Sequence, residues 1–295
     1  MTLENAFEEF LITQQLRGNS EHTLEYYSNC IIPLLNYIGL SSDVGALTSK
    51  QLRDYSLYLR GRGLASNSIK TYLKGIKAFL SWLYQEDYTE INLSEKLILP
   101  KAQRKTIDVL TEQEVKRLFS VFDLDNYKEL RNCCICALML DSGLRKSEIV
   151  RLKLSDVHIP EGYIIVNGKG DKQRIVPLGD NTRKYLVRYI SHRPAGAICP
   201  ALFLTNQNTP ITKSVLERMF KTLKTRNDLL TPRIHAHLLR HTFATNYLEN
   251  GGNIYSLQLI LGHTSLEMEK KYVHLTQAKT VVNFKDFSPL DNLKE

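Results

Sequence analysis

No uninterrupted apolar run in this sequence is long enough to cross a bilayer, which argues against a helical membrane span. The opening stretch Met1–Leu11, MTLENAFEEFL, is acidic where a secretory leader is basic, so no export signal is expected. Cysteine is sparse and odd in number, five in all, and Cys133, Cys134 and Cys136 fall together in the apolar run CCICALML. That setting reads as buried thiols in a reducing compartment, not as a disulfide framework, and no zinc-ligand spacing is completed. Internal repeats and low-complexity tracts are absent, so the chain does not read as a solenoid. These absences leave a cytoplasmic globular protein.

A length of 295 residues suggests two domains, each able to bury its own core, and 43% apolar with 24% charged residues is an ordinary balance. The charge is unevenly spread. Residues 1–100 hold 9 Lys and Arg against 11 Asp and Glu, while the rest hold 30 against 20. A net charge of +8 that comes wholly from one part of the chain points to a polyanionic partner.

Residues 1–97 read as a helical bundle. Leu3–Gln14 is amphipathic, and a second helix places Leu24, Tyr27, Ile31, Leu34, Leu35 and Ile38 on one side. Pro33 inside it is expected to kink or divide it. Thr48 opens a third helix. The fourth, from about Asn67 to Tyr84, has an apolar stripe through Ile69, Tyr72, Leu73, Ile76, Phe79, Leu80 and Leu83, and a separate stripe of Lys70, Lys74 and Lys77. Such a stripe commonly marks a solvated face. On a mildly acidic domain it favours a face that meets a DNA backbone. Residues 98–108, with Pro100 and a basic run, read as a linker to a second domain, 109–295.

In that second domain Thr111 and Glu114 have capping-box spacing, and Tyr127–Leu140 reads as a buried helix ended by Asp141-Ser142-Gly143. Arg145 then stands at the start of the helix RKSEIVRL, where free N–H groups favour an anion. Glu148, three residues on, has the spacing to orient Arg145 by a charge-assisted bond or to serve as a structural partner. Tyr163–Val166 and Arg174–Val176 read as a hairpin joined by the Gly-rich turn Asn167–Lys172. Helices Asp180–Ile190 and Thr212–Thr225 flank a short extended run, Ala201–Thr205.

The densest chemistry lies in Arg233–Leu275. His237 and Arg240 are three apart on a helix that Gly251-Gly252 ends, which sets them on neighbouring positions of one face. A short helix, Ile254–Leu261, delivers Gly262-His263. Thr264 and Glu267, again with capping-box spacing, open a third helix that carries Tyr272. A guanidinium fork holds two non-bridging phosphate oxygens, and a phenol attacks phosphorus once a base such as histidine takes its proton. Each residue alone is as easily a core histidine or tyrosine; together they describe a phosphodiester site. His235, His237 and His241 form H-x-H-x3-H, but no Glu follows His237 and Arg240 would repel a cation, so no metal site is expected.

HLLRHTFAT, LGHTSLEMEKKYVHL and, upstream, DSGLRKSEIVRLKLSDV resemble the signature blocks of the tyrosine recombinases, the phage-integrase and Xer group, in that family's order and spacing. The resemblance runs from about Ala6 to Leu275. It implies a mainly α, two-domain fold: an N-terminal helical core-binding bundle, then a mixed α+β catalytic domain with a small antiparallel sheet. It implies site-specific cleavage and rejoining of DNA, with no cofactor, through a 3′-phosphotyrosyl link and a Holliday junction. Tyr272 would be the nucleophile, Arg145, Arg240 and His263 the phosphate-holding groups, His237 an assistant in proton movement, and Lys169 the acid for the leaving oxygen. Lys172 and Arg174 would be phosphate contacts. The implied partners are double-stranded DNA with an inverted-repeat core site, three further copies in a homotetramer joined by C-terminal segment exchange, and accessory proteins, in a nucleoid-associated cytoplasmic setting. A topoisomerase with the same phosphotyrosine chemistry and a non-catalytic DNA-binding relative are the rival readings. The expected start directly at the bundle leaves no room for an additional arm-binding domain.

Overall fold

The computed structural model describes residues 1–100, 108–168, 173–193, 199–226 and 233–262. The chain divides into two units, Met1–Lys105 and Thr106–Glu295, each built around its own apolar core.

The first unit is built of helices joined by short loops among its described residues. It contains α1 (Leu3–Leu16), α2 (Glu21–Ile38), α3 (Ser49–Gly61), α4 (Ser66–Gln85) and the one-turn α5 (Leu93–Lys96). The stripe Ile69, Leu73, Ile76, Phe79, Leu80 and Leu83 of α4 is buried with Tyr72 half-buried beside it, and α1, α2, α3 and α5 all pack against this helix. Phe10 lies edge-on to Tyr27, Phe79 and Trp82 at centroid distances of 5.0–5.6 Å, so aromatic packing joins α1, α2 and α4. α2 is not divided at Pro33: the helix is continuous across it. Cys30, Ile31, Leu34 and Leu35 are buried on both sides of the proline, and that packing offsets the one backbone hydrogen bond the imino acid cannot donate. The capping box of Thr48 and Gln51 starts α3, with Thr48 N–H donating to Gln51 Oε1 at 2.8 Å.

The second unit opens with α6 (Glu112–Ser120), started by the expected Thr111–Glu114 capping box. α7 (Tyr127–Asp141) follows and is its central element: from Leu130 to Met139 every residue is buried, the three clustered cysteines included. All five cysteines are free; burial pushes the Cys133 thiol up to about 12 and raises Cys134 and Cys136 as well, so the three clustered thiols are packing groups and not nucleophiles. α8 (Lys146–Arg151) leads to a three-stranded antiparallel sheet, β1 (Val157–His158), β2 (Tyr163–Asn167) and β3 (Gln173–Pro177), in that order. The two-residue β1 carries no alternation pattern and escapes a sequence reading. Ile165 pairs with Ile175 and Val166 with Arg174; Ile164, Val166 and Val176 face the core. α9 (Asp180–Ser191), α10 (Lys213–Thr225), α11 (Ala236–Glu249) and α12 (Ile254–Leu261) complete the unit. The 201–205 stretch makes only isolated bridges, Lys153 to Ala201 and Leu204 to Pro210. α11 packs on α7, and α12 packs on both α11 and β3, which brings three distant segments to one place. No helix among the described residues is long and apolar enough to cross a membrane.

Candidate active site

The turn between α7 and α8 sets the first functional side chain. Gly143 has φ +65°, and a Cβ there would lie 2.5 Å from the Phe243 ring and 2.7 Å from Leu261. Only glycine permits both the left-handed turn and the close approach of α11 and α12. Two residues later Arg145 is the N-cap of α8 in extended conformation. Its backbone N–H donates to Glu148 Oε2 at 2.8 Å and its Nη1 to Glu148 Oε1 at 2.8 Å. Glu148 therefore caps the helix and orients the guanidinium at once, the two roles that its spacing leaves open. The Arg145 side chain keeps one third of its surface exposed, unlike Glu148, which is almost wholly buried.

Arg240 arrives from the first turns of α11 and is 8% exposed. Its Nη1 donates to the carbonyl of Gly143 and its Nη2 to the carbonyl of Leu261 at 2.9 Å. Nη2 of Arg145 approaches the carbonyl of Gly262 at 3.5 Å. α12 ends at Gly262, which is left-handed at φ 63°, ψ 47°. Both arginines thus meet the carboxyl end of α12, whose unpaired carbonyls and dipole attract cations.

His237 lies one turn before Arg240, its neighbour His235 being the N-cap of α11: His235 Nδ1 accepts from Leu238 N–H at 2.8 Å. Histidine is not among the usual cap residues, so no local signal marks this helix start. The pKa of His237 is lowered from the ordinary histidine value, first by partial burial and then by His235, Lys146, Arg240 and Arg145. Since His237 is an exposed residue, the crowd of positive neighbours is the sturdier of these causes. A lowered pKa keeps the imidazole neutral and able to accept a proton near pH 7. Beside it opens a basic cavity of about 340 Å³ lined by Lys146, Glu217, Lys221, Lys224, His235 and His237, where Lys146 Nζ donates to Glu217 at 3.1 Å.

Arg174, expected as a phosphate contact, has protein partners that the sequence does not announce. It sits on β3 with its side chain 11% exposed; Nη1 and Nη2 donate to the two oxygens of Glu148 at 2.8 and 2.9 Å, and Nε donates to the Ile260 carbonyl at 2.7 Å. The expectation named a phosphate contact and none of these protein partners. The available signal is the strand alternation, since Arg174 shares the inward side of β3 with buried Val176 while Ile175 between them is 64% exposed. With four donors on two oxygens, Glu148 holds a pKa of about 2: burial raises it, and the hydrogen bonds and charges of Arg174 and Arg145 more than reverse that. On α4, Lys74 is exposed and Lys70 and Lys77 are half-exposed, away from the buried stripe. Lys169, Lys172, His263 and Tyr272 lie outside the described residues, as do the Thr264–Glu267 box and the expected helix at Ala278–Phe284.

Residues 108–279 match the Phage integrase family, and residues 6–90 match the Phage integrase, N-terminal SAM-like domain. This chain belongs to the phage integrase family. The tyrosine recombinase XerD of Oceanobacillus iheyensis is 30% identical over 296 residues, covering 97% of this chain and 99% of that protein. Among solved structures, a XerA recombinase is similar at 27% identity and TM-score 0.52, and covers 97% of this chain. The Tn1549 transposon integrase in complex with a circular intermediate DNA has TM-score 0.77 at 20% identity over 97% of this chain, a likeness of fold. The chain is an enzyme of site-specific DNA recombination of the tyrosine type, which cleaves and rejoins DNA strands.

Proposed function

We propose that the reaction centre is the set Arg145, Lys169, His237, Arg240, His263 and Tyr272, supported by Glu148. The Tyr272 oxygen attacks the scissile phosphorus, a 3′-phosphotyrosyl bond forms, and the 5′ oxygen leaves as a hydroxyl. His237 assists removal of the phenol proton, and Lys169 gives a proton to the departing oxygen. Arg145 and Arg240 hold the non-bridging oxygens with His263, and so stabilise the charge that gathers on the five-coordinate phosphorus. The phosphotyrosyl bond keeps the energy of the original phosphodiester, so the 5′-hydroxyl of a second strand reverses the step without a nucleotide. Strand exchange then proceeds through a Holliday junction between two inverted-repeat core sites held by four copies of the chain, with C-terminal segments exchanged between neighbours and accessory proteins setting direction. Lys70, Lys74, Lys77 and Lys172 contact the backbone of the duplex, and the setting is the nucleoid in the cytoplasm. Resolving replicon dimers and integrating or excising an element both fit this chemistry.

The observation that carries the reading is that Arg145 and Arg240, from two helices far apart in sequence, donate to the consecutive carbonyls Gly262 and Leu261, at the residue before His263. The test is incubation with a pool of duplexes nicked near candidate sites, followed by a denaturing gel. The nick lets the short end diffuse away and traps the covalent protein–DNA adduct, whose sequence gives the cleavage site. Tyr272→Phe is expected to lose the adduct and retain DNA binding; an adduct that survives the substitution refutes the assignment. Relaxation of supercoiled DNA by a single protomer, without strand exchange, would instead support a topoisomerase.

A further inference from the structure

An arginine on the inward side of a strand between buried apolar neighbours is costly unless every part of its fork is engaged. Arg174 opposes buried Val166 in the sheet register and shares its side of β3 with buried Val176. Its engagement is complete along the fork: Nε to Ile260 O, Nη1 and Nη2 to the Glu148 carboxylate. Glu148 is shared in a particular way. Oε1 accepts from Nη1 of both Arg145 and Arg174, and Oε2 accepts from the Arg145 N–H and from Arg174 Nη2. Gly262 lies flat against the same guanidinium, since a Cβ there would be 3.0–3.2 Å from Cδ, Nε and Cζ of Arg174. Three consecutive carbonyls, Ile260, Leu261 and Gly262, therefore receive Arg174, Arg240 and Arg145 in turn.

We propose that Arg174 is a positioning residue for strand cleavage: without touching the phosphate, it locks the Arg145 guanidinium and the carboxyl end of α12 onto one shared carboxylate. The inference rests on the phosphate-holding role given to Arg145 above. A lysine cannot replace it, because a single ammonium on a flexible stem cannot bridge a carboxylate and a carbonyl with fixed geometry. With lysine at 174, Glu148 keeps a cation nearby but loses the second point of its clamp, and Arg145 and Gly262 drift relative to each other. Misplacement on the scale of an ångström costs on the order of a hundredfold in rate, and loss of an outer supporting group typically about 10–100-fold.

The experiment compares the wild-type chain with Arg174→Lys on the nicked duplex recovered from the wild-type adduct, at saturating DNA and in a single turnover. A second duplex carries a methylphosphonate at the scissile position, where a methyl group replaces one non-bridging oxygen and removes the charge that Arg145 stabilises. Arg174→Lys is expected to form adduct about 10–100-fold more slowly on the phosphate, with DNA affinity changed no more than about threefold. On the methylphosphonate the gap between the two proteins is expected to close to within about threefold, by the logic of a double-mutant cycle. An equal gap on both substrates would mean general loss of structure, and equal rates on the phosphate would mean no role; either overturns the proposal. In the DNA-free proteins, amide exchange across Ile254–Gly262 is expected to be faster in Arg174→Lys, and unchanged exchange also counts against it. If the wild type forms no adduct on any duplex while exchange at α12 still responds, the reading of the reaction fails and the positioning role falls with it.

Discussion

The lysines of α4 and the arginines gathered at the end of α12 are both groups of three cations, and the protein treats them in opposite ways. Lys74 is exposed and Lys70 and Lys77 half-exposed, on a helix whose other face is buried against its neighbours. Arg145, Arg174 and Arg240 run from one third exposed to nearly buried, and are tied to one carboxylate and to carbonyls at the end of α12. Hydrated lysines cost little to fold and supply affinity through counterion release, which needs charge but not direction. Transition-state stabilisation needs charge already aimed, and aiming it requires taking guanidinium groups out of water and giving them fixed acceptors. On the proposed roles, position in the fold separates affinity from catalysis.

If that division is right, the largest effect belongs to Arg240. Arg240→Ala removes donors to the Gly143 and Leu261 carbonyls and with them the tie between the α7–α8 turn and the end of α12. Adduct formation in a single turnover is expected to fall by roughly 10²–10³-fold or more, with DNA binding weakened only a few-fold. A fall in affinity as large as the fall in rate would break the division.

Glu148 comes next, because it is the acceptor around which two of the arginines are set. Glu148→Gln leaves two partly buried guanidinium groups without their counter-charge, a loss expected to cost about 3–5 kcal/mol and to show as a lower melting temperature. The same residue predicts a pH dependence. Its folded pKa is about 2 against an ordinary 4.5, so its contribution is complete above about pH 4.5 and is lost as pH falls toward 2. That contribution is on the order of 3 kcal/mol. Chemical unfolding measured from pH 6 downward is expected to show this acid loss in the wild type, and a weaker one in Glu148→Gln.

How much of this is legible in the sequence depends on how local the cause is. The Thr111–Glu114 capping box, the stripe of α4 and the pairing of Arg145 with Glu148 are set by neighbours three or four residues apart, and all stand in the fold as expected. Of the two outcomes expected at Pro33, a kink or a division, the division does not occur, because the forces holding α2 together come from other helices. The protein partners of Arg174 escape a sequence reading for the same reason. Its position after a basic turn suggests a surface cation, while its true partners, Glu148 and Ile260, lie on α8 and α12. The convergence of three arginines on three consecutive carbonyls is a property of packing among α8, α11, α12 and β3 and has no short-range signature.

A smaller effect sharpens the electrostatics of the site. His237 is held below the ordinary histidine value of 6.5 by burial and by its positive neighbours, so its neutral form persists to lower pH than that of an ordinary histidine. The acid limb of the rate of adduct formation is expected to lie below that value. Lys146→Met removes one of those charges and is expected to move the limb upward; because Lys146 is also paired with Glu217, the movement is modest. A limb that does not move would remove Lys146 from the causes of the shift.

The smallest effect on chemistry, and the sharpest on the comparison, belongs to Lys74. Lys74→Gln removes one exposed charge from α4 and touches none of the buried stripe. With one fewer phosphate neutralised, the slope of log affinity against log salt is expected to become shallower by about 0.9. The change is expected to be uniform across DNA sequences, since a charge on the backbone carries no base information. At saturating DNA the single-turnover rate is expected to match the wild type, because a charge that acts by releasing counterions acts before the chemical step. A rate that fell while the salt slope stayed fixed would mean that the α4 stripe aims the duplex and does not merely hold it, and the separation between hydrated and oriented charge would then fail in the very unit where it looks simplest.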